Sequence, residues 1–192
     1  MPLIVLGSSS PFRKQLLSKL LPSFDTCSPD IDETPLPNET PDQLVRRLAL
    51  RKAEAVAAQR PDALIITSDQ VSVLGGRISG KPGNFPRAFE QLKQSSGNVV
   101  TFFTSLCVYD AATSRHELDV ETFAVHFRQL SDEQITRYLE KEQPFNCAGS
   151  FKSEGLGISL FTKMEGRDPN TLIGLPLIRL VDMMDTFGIK IP

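Results

Sequence analysis

Leu3-Ile4-Val5-Leu6-Gly7-Ser8-Ser9-Ser10-Pro11-Phe12-Arg13 decides the reading of the fold. Four apolar residues closed by a glycine read as a short buried strand. The three serines form a turn, and Ser10 stands where it caps a helix whose first residue is Pro11. Leu16, Leu17, Leu20 and Leu21 then recur at helical spacing until Pro22 stops the helix. The chain thus opens as strand, small-residue turn and helix.

The pattern continues outward. A second strand is expected near Phe24 to Ser28, then a proline-rich acidic loop from Pro29 to Asn38. Thr40, Pro41 and Gln43 make a capping-box start for a helix reaching about Arg60. Ala63 to Thr67 reads as a strand ending in Ser68-Asp69-Gln70. Val71 to Ser79 reads as a hairpin turned at Gly75-Gly76, and Pro86 to Gln94 as a helix. Two long β runs follow, 98–110 and 115–128. Ser131 with Gln134 starts another capped helix, Gly155 to Met164 reads as a strand, and Asn170 as the cap of a last helical segment. That segment is interrupted at Pro176 and ends near Gly188. Early alternation with a hairpin-rich middle predicts an α/β fold, a mixed twisted β-sheet with flanking helices. No repeat or linker divides the chain, so 1–192 reads as one domain.

Composition bounds the function. The 192 residues are 40% hydrophobic and 23% charged, with a net charge of −2. A normal core can form, but no basic surface exists to hold nucleic acid by bulk attraction. No run suits a membrane span or a signal peptide, so the reading is cytosolic, with no membrane partner. Cys27, Cys107 and Cys147 have no C-x-x-C spacing and read as small buried residues of a reducing compartment. His116 and His126 are too few and too far apart for zinc, and both read as edge or core residues of β runs.

Polar residues placed against these trends are the candidates for chemistry. A Ser-rich helix start suits an anion through its free N–H groups, which brings in Ser8 and Ser10. Arg13 lies in the first turn, where a cation is disfavoured, and on the leucine face; the readings are an anion in front of it or a snorkelling side chain. Lys52 has Val45, Leu48 and Val56 at i−7, i−4 and i+4, so it interrupts an apolar stripe; it too reads as a phosphate ligand or a snorkelling edge residue. Arg46, Arg47 and Arg51 read as rim residues. Asp69 follows a buried-looking strand at its carboxyl end, where α/β proteins place their sites. It can bind a divalent cation, take a proton from water, or simply form a turn. Glu33 in its acidic loop, Lys81 in Gly80-Lys81-Pro82 and Glu154 after a small-residue turn are each ordinary surface residues taken alone. The spacing at Lys81 is not that of a Walker loop. Arg13, Lys52 and Lys81 with Glu33 and Asp69 give three cations and two acids dispersed along the chain.

Taken in order, these segments resemble the Maf family of nucleotide pyrophosphatases. The resemblance rests on Ser8-Ser9-Ser10-Pro11-Phe12-Arg13, Asp32-Glu33-Thr34-Pro35, Arg47-Leu48-Ala49, Lys52-Ala53, Ser68-Asp69-Gln70-Val71, Gly80-Lys81-Pro82 and Ala148-Gly149-Ser150-Phe151, and it covers essentially the whole chain. The run from Cys147 to Gly155 and the stretch from Glu165 to Leu172 are close to the YceF branch, the 7-methyl-GTP pyrophosphatases. The family motif carries two successive arginines after the proline, and familiar members of this branch carry Trp at the first; here it is Phe12, which keeps an aromatic face.

The resemblance implies an elongated, two-lobed, ITPase-like fold with a central cleft, a homodimer, and hydrolysis of 7-methyl-GTP to 7-methyl-GMP and pyrophosphate. It implies Asp69 as the catalytic proton acceptor. It places Phe12, Gln70 and Glu154 at the substrate-selecting positions. Ser8, Ser10, Arg13, Lys52 and Lys81 are then expected around the phosphates, with Glu33 and Asp69 on a divalent metal cation, Mg2+ or Mn2+. Clearing of modified nucleotides is the purpose this chemistry suggests. The competing expectations are a dTTP- or UTP-type pyrophosphatase, and a nucleotide-binding regulator of septum formation.

Overall fold

The computed structural model describes residues 2–192. Its strands form one mixed sheet of eight, and its residues fall into two compact units.

Among the described residues the first unit holds 2–69, 104–121 and 168–192. Strands β1 (Leu3–Leu6) and β2 (Asp25–Thr26) pair in parallel, and β1 also pairs in parallel with β3 (Ala63–Thr67). β3 pairs antiparallel with β6 (Val99–Asp110). Alternation sorts their side chains into two cores. Ile4, Leu6, Leu64, Ile66, Leu106 and Val108 pack with α1 (Pro11–Leu17) and α6 (Leu177–Thr186). Val5, Ala63, Ile65 and Cys107 face the other way, onto Ala49, Ala53 and Val56 of α2 (Pro41–Ala57). Because both faces are covered, β3 is apolar at nearly every position and buried throughout.

Gly7 is required by this packing. A Cβ there would stand 2.6 Å from Cγ2 of Thr67 and 3.1 Å from Cγ2 of Val56. The small residue closing β1 lets the strand end lie against both β3 and α2.

The second unit holds residues 70–103 and 122–167. Strands β4 (Gln70–Leu74) and β5 (Arg77–Ser79) form a hairpin turned at Gly75 and Gly76, both at positive φ. Helices α3 (Phe85–Ser95) and α4 (Asp132–Glu142) are capped by Asn84 and Ser131. The paired strands β7 (His116–Phe127) and β8 (Phe161–Glu165) continue the sheet. Phe102, Phe127, Phe151 and Phe161 meet edge to face in the core.

Two expectations require correction. The segment read as a strand from Gly155 to Met164 is a 3-10 turn over Leu156–Leu160, and only β8 is extended. The cause is a close approach: a Cβ on Gly157 would lie 2.2 Å from the Lys152 carbonyl oxygen, so the chain folds back on itself there. The last helical segment is capped by Asp168, not Asn170. Asp168 accepts from the Asn170 backbone at the start of α5 (Pro169–Ile173) and from the Ile178 backbone at the start of α6. Pro176 offers α6 no side-chain cap, so one buried carboxylate serves two helix starts, where negative charge is favoured.

Replacing Asp168 with Ala strips acceptors from two helix starts at once. The expected loss is about 2–3 kcal/mol in urea unfolding, with Asp168→Asn losing less because it keeps one oxygen acceptor. A loss below about 0.5 kcal/mol for the alanine variant would contradict the shared cap.

Candidate active site

Asp69 leaves the end of β3 and is buried. Thr67, two residues earlier, donates its hydroxyl to the Ala49 carbonyl of α2 at 2.7 Å, which ties the strand end to that helix. One turn further along α2, Lys52 occupies the buried face together with Val45, Leu48, Ala49 and Val56. Its ammonium lies 2.6 Å from Asp69 Oδ1 and 2.8 Å from Glu33 Oε1. The stripe position therefore carries Lys52 inward onto two carboxylates, and it does not snorkel. The side chains of Lys52 and Asp69 are 9% and 11% exposed, whereas that of Glu33 is 59% exposed. The cluster is sealed on the strand side and open on the loop side.

Arg13 joins it from α1. Ser8 Oγ accepts from the Ser10 backbone at 3.1 Å, and Ser10 Oγ caps the helix by accepting from the Arg13 backbone at 3.3 Å. The half-buried Arg13 side chain donates Nε to the Gly174 carbonyl at 2.8 Å. Loss of solvation lowers the pKa of its guanidinium, and the charges of Asp69 and Glu33 oppose that shift. Two cations and two carboxylates thus balance. Phe12, beside Arg13, is half-buried.

The loop that carries Glu33 is held by Arg47, which reads as a rim residue in sequence. Its guanidinium forks onto Glu39, with Nε 2.6 Å from Oε1 and Nη2 2.8 Å from Oε2, and Nη2 also donates to the Thr34 carbonyl at 3.1 Å. Glu39 in turn accepts from the Leu36 backbone at 2.9 Å. The arginine hydrogen bonds hold the Glu39 carboxyl down from its ordinary 4.5 to about 2.

Gln70, Lys81 and Glu154 belong to the second unit. Gln70 begins β4 and is half-buried, while Lys81 and Glu154 are exposed. Lys81, Lys152 and Glu154 all act electrostatically on the half-buried Cys147, whose thiol burial pushes upward. The Glu154 loop is pinned to α4: Tyr138 Oη accepts from the Lys152 backbone at 3.1 Å, and Glu142 Oε2 accepts from the Leu156 backbone at 2.8 Å. The structure therefore brings Arg13, Glu33, Lys52 and Asp69 together within the first unit, while Lys81 and Glu154 lie in the second.

Sequence reasoning passed over Ser68, Ser105 and Gly174. Ser68 donates to the same Gly174 carbonyl as Arg13, at 3.0 Å. Ser105 takes up the Asp69 backbone. Ser105 is a small polar residue within β6, Ser68 follows the end of β3, and Gly174 closes α5.

Glu33 and Asp69 are the candidate metal ligands. Both are hard oxygen donors, and one oxygen of each lies against the Lys52 ammonium. Among the described residues no group of three or more His, Cys, Asp or Glu side chains suits a metal. Two carboxylates fit a cation that completes its shell with water and phosphate oxygens, as magnesium does. His116 stacks on Tyr109, and His126 pairs with Glu165 at 2.7 Å. Among the described residues no helix is long and apolar enough to cross a membrane.

A family model described as Maf-like protein matches residues 3–187. The 7-methyl-GTP pyrophosphatase of Colwellia psychrerythraea is 56% identical over 191 residues, covering 100% of this chain and 96% of that protein. The 7-methyl-GTP pyrophosphatase of Nitrosococcus oceani is 53% identical over 187 residues, covering 97% and 94%.

The Arg47–Glu39 fork gives a pH signature. Because folding lowers the Glu39 pKa, its contribution is full above about pH 4.5 and fades as pH falls through about 2. The stability difference between wild type and Arg47→Met should be flat above pH 5 and shrink below it. A difference that stays constant down to pH 2 would count against the fork.

Proposed function

The chain belongs to the Maf-like protein family, and from that membership we propose that it hydrolyses 7-methyl-GTP to 7-methyl-GMP and pyrophosphate. The observation that carries the reading is the convergence of Glu33 and Asp69 on the Lys52 ammonium, with Arg13 near enough for both acids to act on its charge. Two relatives bearing the 7-methyl-GTP pyrophosphatase name, above half identity along the full chain, support the substrate.

Each residue has a task that its surroundings suit. Asp69 accepts the proton of the attacking water. Water oxygen bonds to the α-phosphorus, the bridging α–β bond breaks, and pyrophosphate departs with the bridging oxygen. Arg13, Lys52 and Lys81 hold phosphate charge, and Ser8 and Ser10 supply hydroxyls beside it. Glu33 and Asp69 are assigned to a divalent cation, Mg2+ or Mn2+, which when bound supplies Lewis-acid polarisation and a more acidic water. The open side at Glu33 admits a polyphosphate, while burial of Lys52 and Asp69 keeps bulk water from screening them.

Base selection is assigned to Phe12, Gln70 and Glu154. Methylation at N7 makes guanine cationic, and an aromatic face attracts it by about 0.5–2 kcal/mol. Glu154 can accept two N–H bonds from the guanine edge, and Gln70 can donate and accept. The support for these assignments is the motif in which each residue stands. A homodimer and a cytoplasmic setting belong to the same reading. The three unpaired cysteines suit a reducing compartment, and sedimentation at micromolar concentration tests the pairing.

A metal-supplemented panel of 7-methyl-GTP, GTP, UTP and dTTP, scored by pyrophosphate release, tests the activity. Turnover should be highest on 7-methyl-GTP and undetectable for Asp69→Asn. Equal turnover on all four would remove the substrate assignment, and an active Asp69→Asn would remove the catalytic one. Phe12→Arg should lower turnover of 7-methyl-GTP about tenfold more than that of UTP. An equal loss on both would contradict the role given to the ring.

A further inference from the structure

Antiparallel pairing of β3 with β6 runs Leu64 opposite Asp110, Ile65 opposite Tyr109, Ile66 opposite Val108 and Thr67 opposite Cys107. Two steps further, the same register sets Asp69 opposite Ser105. A regular hydrogen-bonded pair at that point exchanges two backbone bonds, each amide donating to the other residue's carbonyl. Only one of them forms: the Ser105 amide donates to the Asp69 carbonyl at 2.9 Å. The Asp69 amide instead donates to the Ser105 hydroxyl, also at 2.9 Å. The same hydroxyl lies 3.2 Å from the Asp69 carbonyl and donates back to it.

The Ser105 side chain therefore stands in for its own carbonyl. The substitution has two physical consequences. It releases Asp69 from the ladder, so the chain breaks between β3 and β4 at the residue that faces Lys52. It also leaves no orphan, since a buried amide at such a break would otherwise lack an acceptor. Ser105 is fully buried, so water cannot take over the task. Three hydrogen bonds to a single residue hold the Asp69 backbone, and its carboxylate leaves that fixed point at 2.6 Å from Lys52.

We propose that Ser105 is the positioning residue for Asp69, its hydroxyl holding open the strand break that aims the Asp69 carboxylate. The inference rests on Asp69 being the catalytic group. Ser105 touches no substrate and acts through Asp69 alone, so its loss falls on turnover and not on binding.

The test compares Ser105→Ala, Ser105→Cys and Ser105→Thr with wild type and Asp69→Asn, using folded protein at saturating metal. Alanine lacks the acceptor, cysteine keeps the volume with a weak one, and threonine keeps the hydroxyl. The result expected is a fall in kcat of about tenfold or more for alanine and cysteine, with KM within about twofold. Threonine should recover most of kcat. The Asp69 amide, followed by hydrogen exchange, should exchange at least about tenfold faster in the alanine variant and be protected again in the threonine variant. Should alanine not fold, cysteine carries the same comparison. Wild-type kcat without the hydroxyl, unchanged amide exchange, or an equal loss for threonine and alanine would overturn the proposal. If Asp69→Asn is inactive while Ser105→Ala turns over normally, the positioning role falls and the catalytic reading stands. If Asp69→Asn is itself active, the catalytic reading falls.

Discussion

An ammonium taken out of water needs negative charge close by, and Lys52 has two carboxylates within 2.8 Å. Desolvation makes such a cluster weak as a source of stability, yet removing one partner from a buried pair costs about 3–5 kcal/mol. Its position is therefore tightly constrained. Lys52 must stay on the inner face of α2, Asp69 must leave β3 at the matching height, and the loop must bring the Glu33 carboxylate to the open side of the ammonium. The packing of the first unit meets those conditions. Gly7 lets the strand end approach α2, and the Thr67 hydroxyl ties that end to the Ala49 carbonyl, one turn from Lys52.

The supports around the cluster are polar and local. Arg47 and Glu39 hold the loop, and the Gly174 carbonyl receives both Arg13 and Ser68. Gly174 itself is placed by α5, whose start shares the Asp168 carboxylate with α6. A chain of hydrogen bonds thus runs from a helix cap to the guanidinium beside Asp69. Each link satisfies a group that would be costly to leave unpaired, which makes the geometry of the charged groups a consequence of the fold and not of loop chance.

Much of this was legible in sequence because it depends on neighbours along the chain. The boxes at Thr40 with Gln43 and at Ser131 with Gln134 mark two helix starts correctly. The Gly75-Gly76 pair marks the hairpin, and the apolar run of β3 carries its own boundaries. Lys52 stood out because a cation interrupts an apolar stripe. What stayed hidden depends on contacts far apart in sequence. The turn at Leu156 follows from Gly157 lying against Lys152, and the sharing of Asp168 follows from two helix starts meeting. Nothing along β6 marks Ser105, because that its partner residue leaves the ladder shows only in the pairing with β3.

On the proposed reading the buried charges serve chemistry, at no gain to the fold. The most direct measurement replaces Lys52 with Met and Asp69 with Asn in one protein and reads unfolding free energy beside pyrophosphate release. Removing one cation with one carboxylate leaves Arg13 and Glu33 as opposite charges in balance, so stability should hold or rise while turnover vanishes. A double variant that still releases pyrophosphate at the wild-type rate would contradict the account.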